Sequence, residues 1–151
     1  MPSEKPYRPC VVGIFVQGET VLVAQRSGLK GGAWQFPQGG VEEGETHEQA
    51  LYREIKEELG CNEFEVVAEY PQLLAYDFPA DMPAKIAKTY RGQIQKWFIC
   101  RYLSGKGPDL SLATDKEFSA FKWVPAPEAL QDAIYWKKQV YTEVLSYFKL
   151  V

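Results

Sequence analysis

A chain of 151 residues with 46% hydrophobic and 14% aromatic content has the length of one domain and enough large apolar side chains to fill a core, which excludes disorder as its main state. No apolar run approaches the roughly 18 residues needed to span a bilayer, and the start MPSEKPYRP lacks an apolar signal core, so no membrane is expected and the expected location is the cytoplasm. The formal net charge of -3 hides an asymmetry: residues 39–61 hold seven Glu against one Arg and one Lys, while the rest of the chain is net positive.

Residues 10–16 (CVVGIFV) and 21–25 (VLVAQ) flank the turn-like Gln17-Gly18-Glu19-Thr20 and predict a hairpin. Residues 27–33 are a Gly-rich loop, and 34–37 (WQFP) form a short apolar segment entering a Gly39-Gly40 turn. A helix is predicted from an N-cap at Thr46 to Leu59, with Gly60 where a left-handed residue closes a helix. Its core stripe is Leu51, Ile55 and Leu59, spaced i, i+4, i+8. Strands are predicted at 64–69, 72–76, 94–103 and 118–124, with a long aperiodic loop at 77–92. The tail from 127 to 150 reads as one interrupted helix or two consecutive ones, and no repeat or linker divides the chain, so one domain over 1–151 is expected.

A concentrated carboxylate cluster either faces water or holds metal. Glu54, Glu57 and Glu58 stand at i, i+3 and i+4, which places them within about 100° of one helical face. Unpaired, they repel by a few tenths of a kcal/mol each, so a solvated acidic face is affordable and the spacing alone decides nothing. The context adds a Gly-Gly step, Glu45, and Arg53 one turn before Glu57, where it can fix a carboxylate rotamer. His47 follows the N-cap and reads as a surface residue without a zinc partner. Cys10, Cys61 and Cys100 share no CxxC spacing and read as buried free thiols.

Gly39, five residues, Glu45, seven residues, Arg53-Glu54-Ile55, one residue, Glu57-Glu58, one residue, Gly60 and Cys61 together resemble the box of the Nudix hydrolases. Cys61 departs from the larger aliphatic residue usual there, though a cysteine behaves as a small hydrophobe. The resemblance implies an α/β fold, an α/β/α sandwich with a mixed β-sheet and a loop-helix-loop metal site over 39–61, hydrolysing a nucleoside diphosphate linked to another group. Oxygen-only ligands select hard cations such as Mg2+ or Mn2+, and Mg2+ usually takes one or two carboxylates, so three glutamates suggest more than one ion. Glu54, Glu57 and Glu58 are the expected ligands, with one of them, Glu57 by preference, doubling as general base.

Further segments resemble the bacterial RNA 5′-pyrophosphohydrolases and the related dinucleoside polyphosphate hydrolases: YRP at 7–9, WQFPQGGVEEGE at 34–45, GQIQKWF at 92–98 and KEFSAFKWV at 116–124. Lys116, Phe121 and the 77–92 loop depart from that group. The resemblance implies a further metal-binding or catalytic glutamate at Glu117 and a phosphate contact at Arg8. It also places Gln38 in the site, Tyr76 at a nucleotide pocket, Trp136 for base stacking and Lys137 for phosphate, although a lysine pair such as Lys137-Lys138 is commonly a solvated face. Gly39 and Gly40 let the backbone approach phosphates, and Arg8, Arg26 and Lys96 are candidate phosphate clamps. Gln95 and Lys96 alternate faces of a strand, with Gln95 a packing or base contact. Trp34, Phe36, Trp97, Phe98 and Trp123 read as core.

The expected activity is Mg2+-dependent conversion of 5′-triphosphate or 5′-diphosphate RNA ends to 5′-monophosphate, with no membrane partner and no DNA-binding domain. The rivals are hydrolysis of dinucleoside polyphosphates or nucleoside triphosphates, and a non-catalytic nucleotide or RNA-binding module. The oligomeric state stays open between monomer and homodimer.

Overall fold

The computed structural model describes residues 5–27, 33–82 and 87–151. In chain order the elements are β1 (Tyr7–Gln17), β2 (Thr20–Arg26), β3 (Trp34–Gln35), β4 (Gln38–Gly40), α1 (His47–Leu59), β5 (Phe64–Glu69), β6 (Leu74–Asp77), β7 (Gly92–Tyr102), β8 (Phe118–Pro125), α2 (Ala126–Gln131) and α3 (Lys138–Tyr147), with 3-10 turns at Leu110–Leu112 and Tyr135–Lys137.

The predicted hairpin exists only at its tip. Gly18 adopts φ 59°, and only Val16 with Val21 and Gln17 with Thr20 are paired across it. Beyond that the strands part: β1 runs parallel to β7 from Tyr7 opposite Gly92 to Phe15 opposite Cys100, while β2 pairs with β8 and β3. The sequence explains the split. Val11, Val12, Ile14 and Phe15 are all fully buried, and a strand that is apolar on both faces belongs in the interior, covered from both sides.

The Gly39-Gly40 step is not a turn. It lies in β4, antiparallel to β1, with Cys10 opposite Gly40, Val11 opposite Gly39 and Val12 opposite Gln38. The strand predicted at 72–76 begins at Leu74, and β7 begins at Gly92, so the intervening loop spans 78–91, closed by Phe78 N–H donating to the Arg91 carbonyl at 2.8 Å. Residues 83–86 of that loop and 28–32 of the Gly-rich loop lie outside the described residues. The tail forms two helices, α2 and α3.

The mixed eight-stranded sheet carries helices on both faces, the α/β/α sandwich that was expected. Ala50, Leu51, Ile55 and Leu59 of α1 pack on Val11, Phe15, Leu22 and Phe98. On the opposite face Val12, Ile14, Val23 and Trp97 meet Ala129 of α2 and Val140, Tyr141, Val144 and Leu145 of α3. Truncating a stripe residue such as Leu51 to Ala would cost about 2–5 kcal/mol. Helix α1 starts with a capping box in which Thr46 and Gln49 bond each other's backbone, and ends at Gly60 with φ 79°.

Phe36, Trp97 and Phe98 are core, as read from the sequence, whereas Trp34 and Trp123 are half-buried. Cys10 and Cys100 are buried, and Cys61 is partly exposed because it lies just beyond the helix end. His47 is exposed. Among the described residues no helix is long and apolar enough to cross a membrane.

Candidate active site

Arg53 is the hub that joins helix, strand and loop. Its Nε and Nη2 clasp the Glu45 carboxylate at 2.7 and 2.9 Å, its Nη1 reaches Glu54 at 2.9 Å and Glu57 at 3.3 Å, and Nη2 donates to the Gly40 carbonyl at 2.8 Å. The Glu42 N–H also donates to Glu45 at 2.8 Å. The Arg53 hydrogen bonds, helped by that backbone donor, hold the Glu45 carboxyl down at about 2. The expected Arg53 to Glu57 contact is present, but it is the longest of the set. The short, bidentate one belongs to Glu45.

Of the four glutamates on α1, Glu54, Glu57 and Glu58 occupy three different environments. Glu54 lies against Gly39, where a methyl group would overlap its carboxyl. Glu57 is the most open, with 39% of its side chain exposed. Glu58 is fully buried and neither carboxylate oxygen has a hydrogen-bond partner. Burial, followed by the negative charge of Glu117, pushes its pKa far above the carboxylate range. Glu117, the residue before β8, is itself raised by burial, and its ion pair with Arg26 at 3.1 Å opposes that rise. As placed, no three His, Cys, Asp or Glu side chains among the described residues converge to hold an ion, and Arg53 Nη1 bonds both Glu54 and Glu57. Two buried, partnerless oxygens on Glu58 and an all-oxygen donor set nevertheless fit a hard divalent cation. Glu54, Glu57, Glu58 and Glu117 are the residues that could hold it.

The cations differ from one another as well. The Arg8 guanidinium lies flat over Gly40, so close that a methyl there would stand 2.6 Å from Nη2. Lys137 is buried while Lys138 beside it is exposed, so the pair is not a solvated face. The Lys137 ammonium makes no hydrogen bond or salt bridge among the described residues. Burial, aided by the nearby charge of Arg26, lowers its pKa to about 8. Lys96, expected as a phosphate clamp, has its ammonium on the Tyr70 carbonyl at 2.8 Å and Glu69 at 3.0 Å, on the sheet face away from Gln95.

Gln95 is 1% exposed and its amide is bonded at both ends, to Trp97 on one side and to Gln93 and Gln38 on the other. Its amide groups are thus taken up within the protein, whereas Gln93, which the sequence reading passed over, is 6% exposed and, among the described residues, makes only the bond from Gln95 with its side chain. The alternation in GQIQ, which puts Gln93 and Gln95 on one face, was the available signal. Across the sheet Tyr76 is opposite Gln93, and Gln93 is opposite Arg8. Next to this row is a cleft of about 270 Å3, lined by Tyr76, Asp77, Trp136, Gln139, Val140 and Glu143. Tyr76 and Trp136 thus share one recess, whose lining does not include Glu54, Glu57, Glu58 or Glu117.

A model of the NUDIX domain matches residues 6–144. The chain belongs to the Nudix family. It is similar to the RNA pyrophosphohydrolase of Helicobacter pylori (strain P12), 42% identical over 150 residues that cover 96% of this chain and 95% of the relative. It is also similar to the RNA pyrophosphohydrolase of Roseobacter denitrificans, at 44% identity over 149 residues, 95% of this chain and 92% of that one. The solved structure of the E. coli dihydroneopterin triphosphate pyrophosphohydrolase matches with a TM-score of 0.69 over 92% of this chain and 97% of that one, at 22% identity, which speaks for the Nudix fold. As a Nudix hydrolase the chain is an enzyme of phosphoric anhydride bonds. The segment 39–61 that resembles the Nudix box runs through β4, the Glu45 loop, α1 and Gly60.

Proposed function

We propose that this enzyme removes the terminal phosphates from 5′-triphosphorylated or 5′-diphosphorylated RNA and leaves a 5′-monophosphate. The observation that carries the reading is the Tyr135–Lys137 turn, which sets an aromatic side chain, Trp136, into the Tyr76 recess and buries a partnerless cation, Lys137, beside it. A stacking surface joined to a phosphate-seeking ammonium is what a single-stranded nucleotide requires. The relatives at 42% and 44% identity support the same reading.

In this proposal Glu54, Glu57, Glu58 and Glu117 hold Mg2+, for which Mn2+ can substitute, and four carboxylates accommodate more than one ion. The ions supply charge neutralisation and a more acidic bound water. Glu57, more exposed than Glu54 or Glu58, is positioned as general base. Glu45 and Arg53 hold the constellation in place. Arg8 and Lys137 clamp phosphate oxygens, and Arg26 joins them when a cation at Glu117 loosens its ion pair. Gly39 and Gly40 keep side chains out of the way, Gln38 faces the phosphates, and Tyr76 and Trp136 receive a base.

The test gives the purified protein and Mg2+ an oligoribonucleotide with a γ-labelled 5′-triphosphate, with diadenosine tetraphosphate in a parallel reaction. A far higher kcat/KM for release of labelled phosphate or pyrophosphate than for dinucleotide cleavage is expected. Rapid dinucleotide cleavage with inert RNA would assign the enzyme to nucleotide hydrolysis instead, and binding of RNA with neither reaction would leave a binding module.

A further inference from the structure

Three glutamines, Gln38 from β4 and Gln93 and Gln95 from β7, are less than a tenth exposed and touch through their amides. An amide can be turned either way, so which end faces outward is a question of hydrogen-bond logic. Here one group decides it. The indole N–H of Trp97 is a donor and never an acceptor, and it meets Gln95 at 2.9 Å. The Gln95 atom facing it must therefore be the oxygen, and the Gln95 nitrogen must face the other way. That nitrogen donates to the Gln93 oxygen at 2.9 Å and the Gln38 oxygen at 3.2 Å. Both outer amides are thereby forced to present their NH2 groups.

Those two NH2 groups make no hydrogen bond among the described residues, and neither nitrogen is sealed from solvent. They stand on the sheet face that carries Arg8 and Tyr76, the partners opposite Gln93. Trp97 itself cannot drift, because it is fully buried with its ring against Tyr141 and Phe36, at centroid separations of 5.4 and 5.8 Å. An indole deep in the core thus fixes the polarity of a surface two side chains away.

We propose that Trp97 is a positioning residue that orients the Gln95 amide, and through it makes Gln38 and Gln93 a pair of neutral donors for an acceptor group of the substrate. This rests on the reading of the adjoining cleft as the substrate cleft. The acceptor is either a phosphate oxygen or the carbonyl or ring nitrogen of a base. Groups that can only donate are rejected there, because their N–H would meet another N–H.

The experiment follows the side-chain amide and indole signals of the 15N-labelled, Mg2+-loaded protein by NMR, with inorganic pyrophosphate and with a 5′-hydroxyl oligoribonucleotide added separately. The Gln38 and Gln93 NH2 signals are expected to move with at least one probe, pyrophosphate indicating phosphate and the oligonucleotide indicating a base, while the Gln95 NH2 and Trp97 indole signals stay in place. In Trp97→Phe, which keeps an aromatic ring but removes the donor, the outer amides lose their single orientation, and KM for the cleaved substrate rises at least about twofold with kcat unchanged. Movement of the Gln95 signal with Gln38 and Gln93 still, no movement with either probe, or a Trp97→Phe variant with normal KM would overturn the proposal. Failure of RNA cleavage with the amide shifts intact would overturn the RNA reading alone.

Discussion

Arg53 grips Glu45 more tightly than it grips either glutamate of its own helix, with contacts of 2.7 and 2.9 Å against 2.9 Å to Glu54 and 3.3 Å to Glu57. The strongest bond of the network thus lies between the loop and the helix, and the glutamates are held by what remains. Arg53 also bonds the Gly40 carbonyl, so a single guanidinium ties β4, the loop and α1 together.

That bond has a pH signature. The Glu45 carboxyl sits at about 2 in the folded chain, below its ordinary value of 4.5. A depressed carboxylate contributes stability that is fully present above the unfolded value and is lost as pH falls through the folded one. The urea midpoint of the wild type should fall more steeply between pH 4.5 and pH 2 than that of Glu45→Gln. Parallel curves for the two proteins would show that the contact adds nothing to folding.

Replacing Glu57 with Gln keeps volume and removes charge, so the fold should survive. Turnover should drop by about 100-fold to 10,000-fold, the usual contribution of a general base. Melting temperature and kcat at saturating Mg2+, measured together, separate a chemical loss from a folding defect. Near-normal turnover would remove Glu57 from the reaction.

Gly39→Ala and Gly40→Ala probe the two faces of β4. A methyl at 39 collides with the Glu54 carboxyl, and one at 40 stands 2.6 Å from Arg8 Nη2. Both obstacles are flexible side-chain ends, so the melting temperature should change little while the displaced group loses its post. A misplacement of an ångström can cost on the order of 100-fold. Gly39→Ala should act mainly on kcat through Glu54, and Gly40→Ala mainly on KM through Arg8.

Lys137→Met should stabilise the protein while damaging substrate binding. The buried ammonium has its pKa lowered to about 8 from 10.5, so below pH 8 both folded and unfolded chains carry the proton and the burial penalty is fully present. The penalty disappears as pH rises through 10.5. Below pH 8 the variant should therefore show a higher urea midpoint, reflecting an unfolding free energy greater by on the order of 3 kcal/mol, and the gap should close by about pH 10.5. A higher KM for triphosphorylated RNA is expected alongside. Loss of stability at neutral pH would mean that Lys137 is held by groups other than those facing it here.

Helix α1 was readable from sequence because its signals are local: Thr46 and Gln49 for the cap, Gly60 for the end, and the Leu51, Ile55, Leu59 stripe. The carboxylate face and the Arg53 contact follow from helix spacing in the same way. What escaped depends on partners far along the chain. Gly39-Gly40 resembles a turn until β1 arrives to pair with it. Lys96 reads as a free cation until Tyr70 and Glu69 are brought beside it, and a pair such as Lys137-Lys138 is commonly a solvated face although the fold buries Lys137. Gln95 looks like a contact until its amide is taken up by Trp97, Gln93 and Gln38.

The parallel pairing of β1 with β7 bears on how the enzyme comes into being. Strand β1 is made first, yet its parallel neighbour starts only at Gly92, and Glu117 and Lys137 follow later still. Contacts so distant along the chain are slow to form. A growing polypeptide that has emerged only as far as α1 already owns its glutamates but has no wall to set them against. The elements that would complete the proposed site therefore come last, and a chain cut short before Tyr135 would carry all of residues 39–61 and still lack the Tyr135–Lys137 turn.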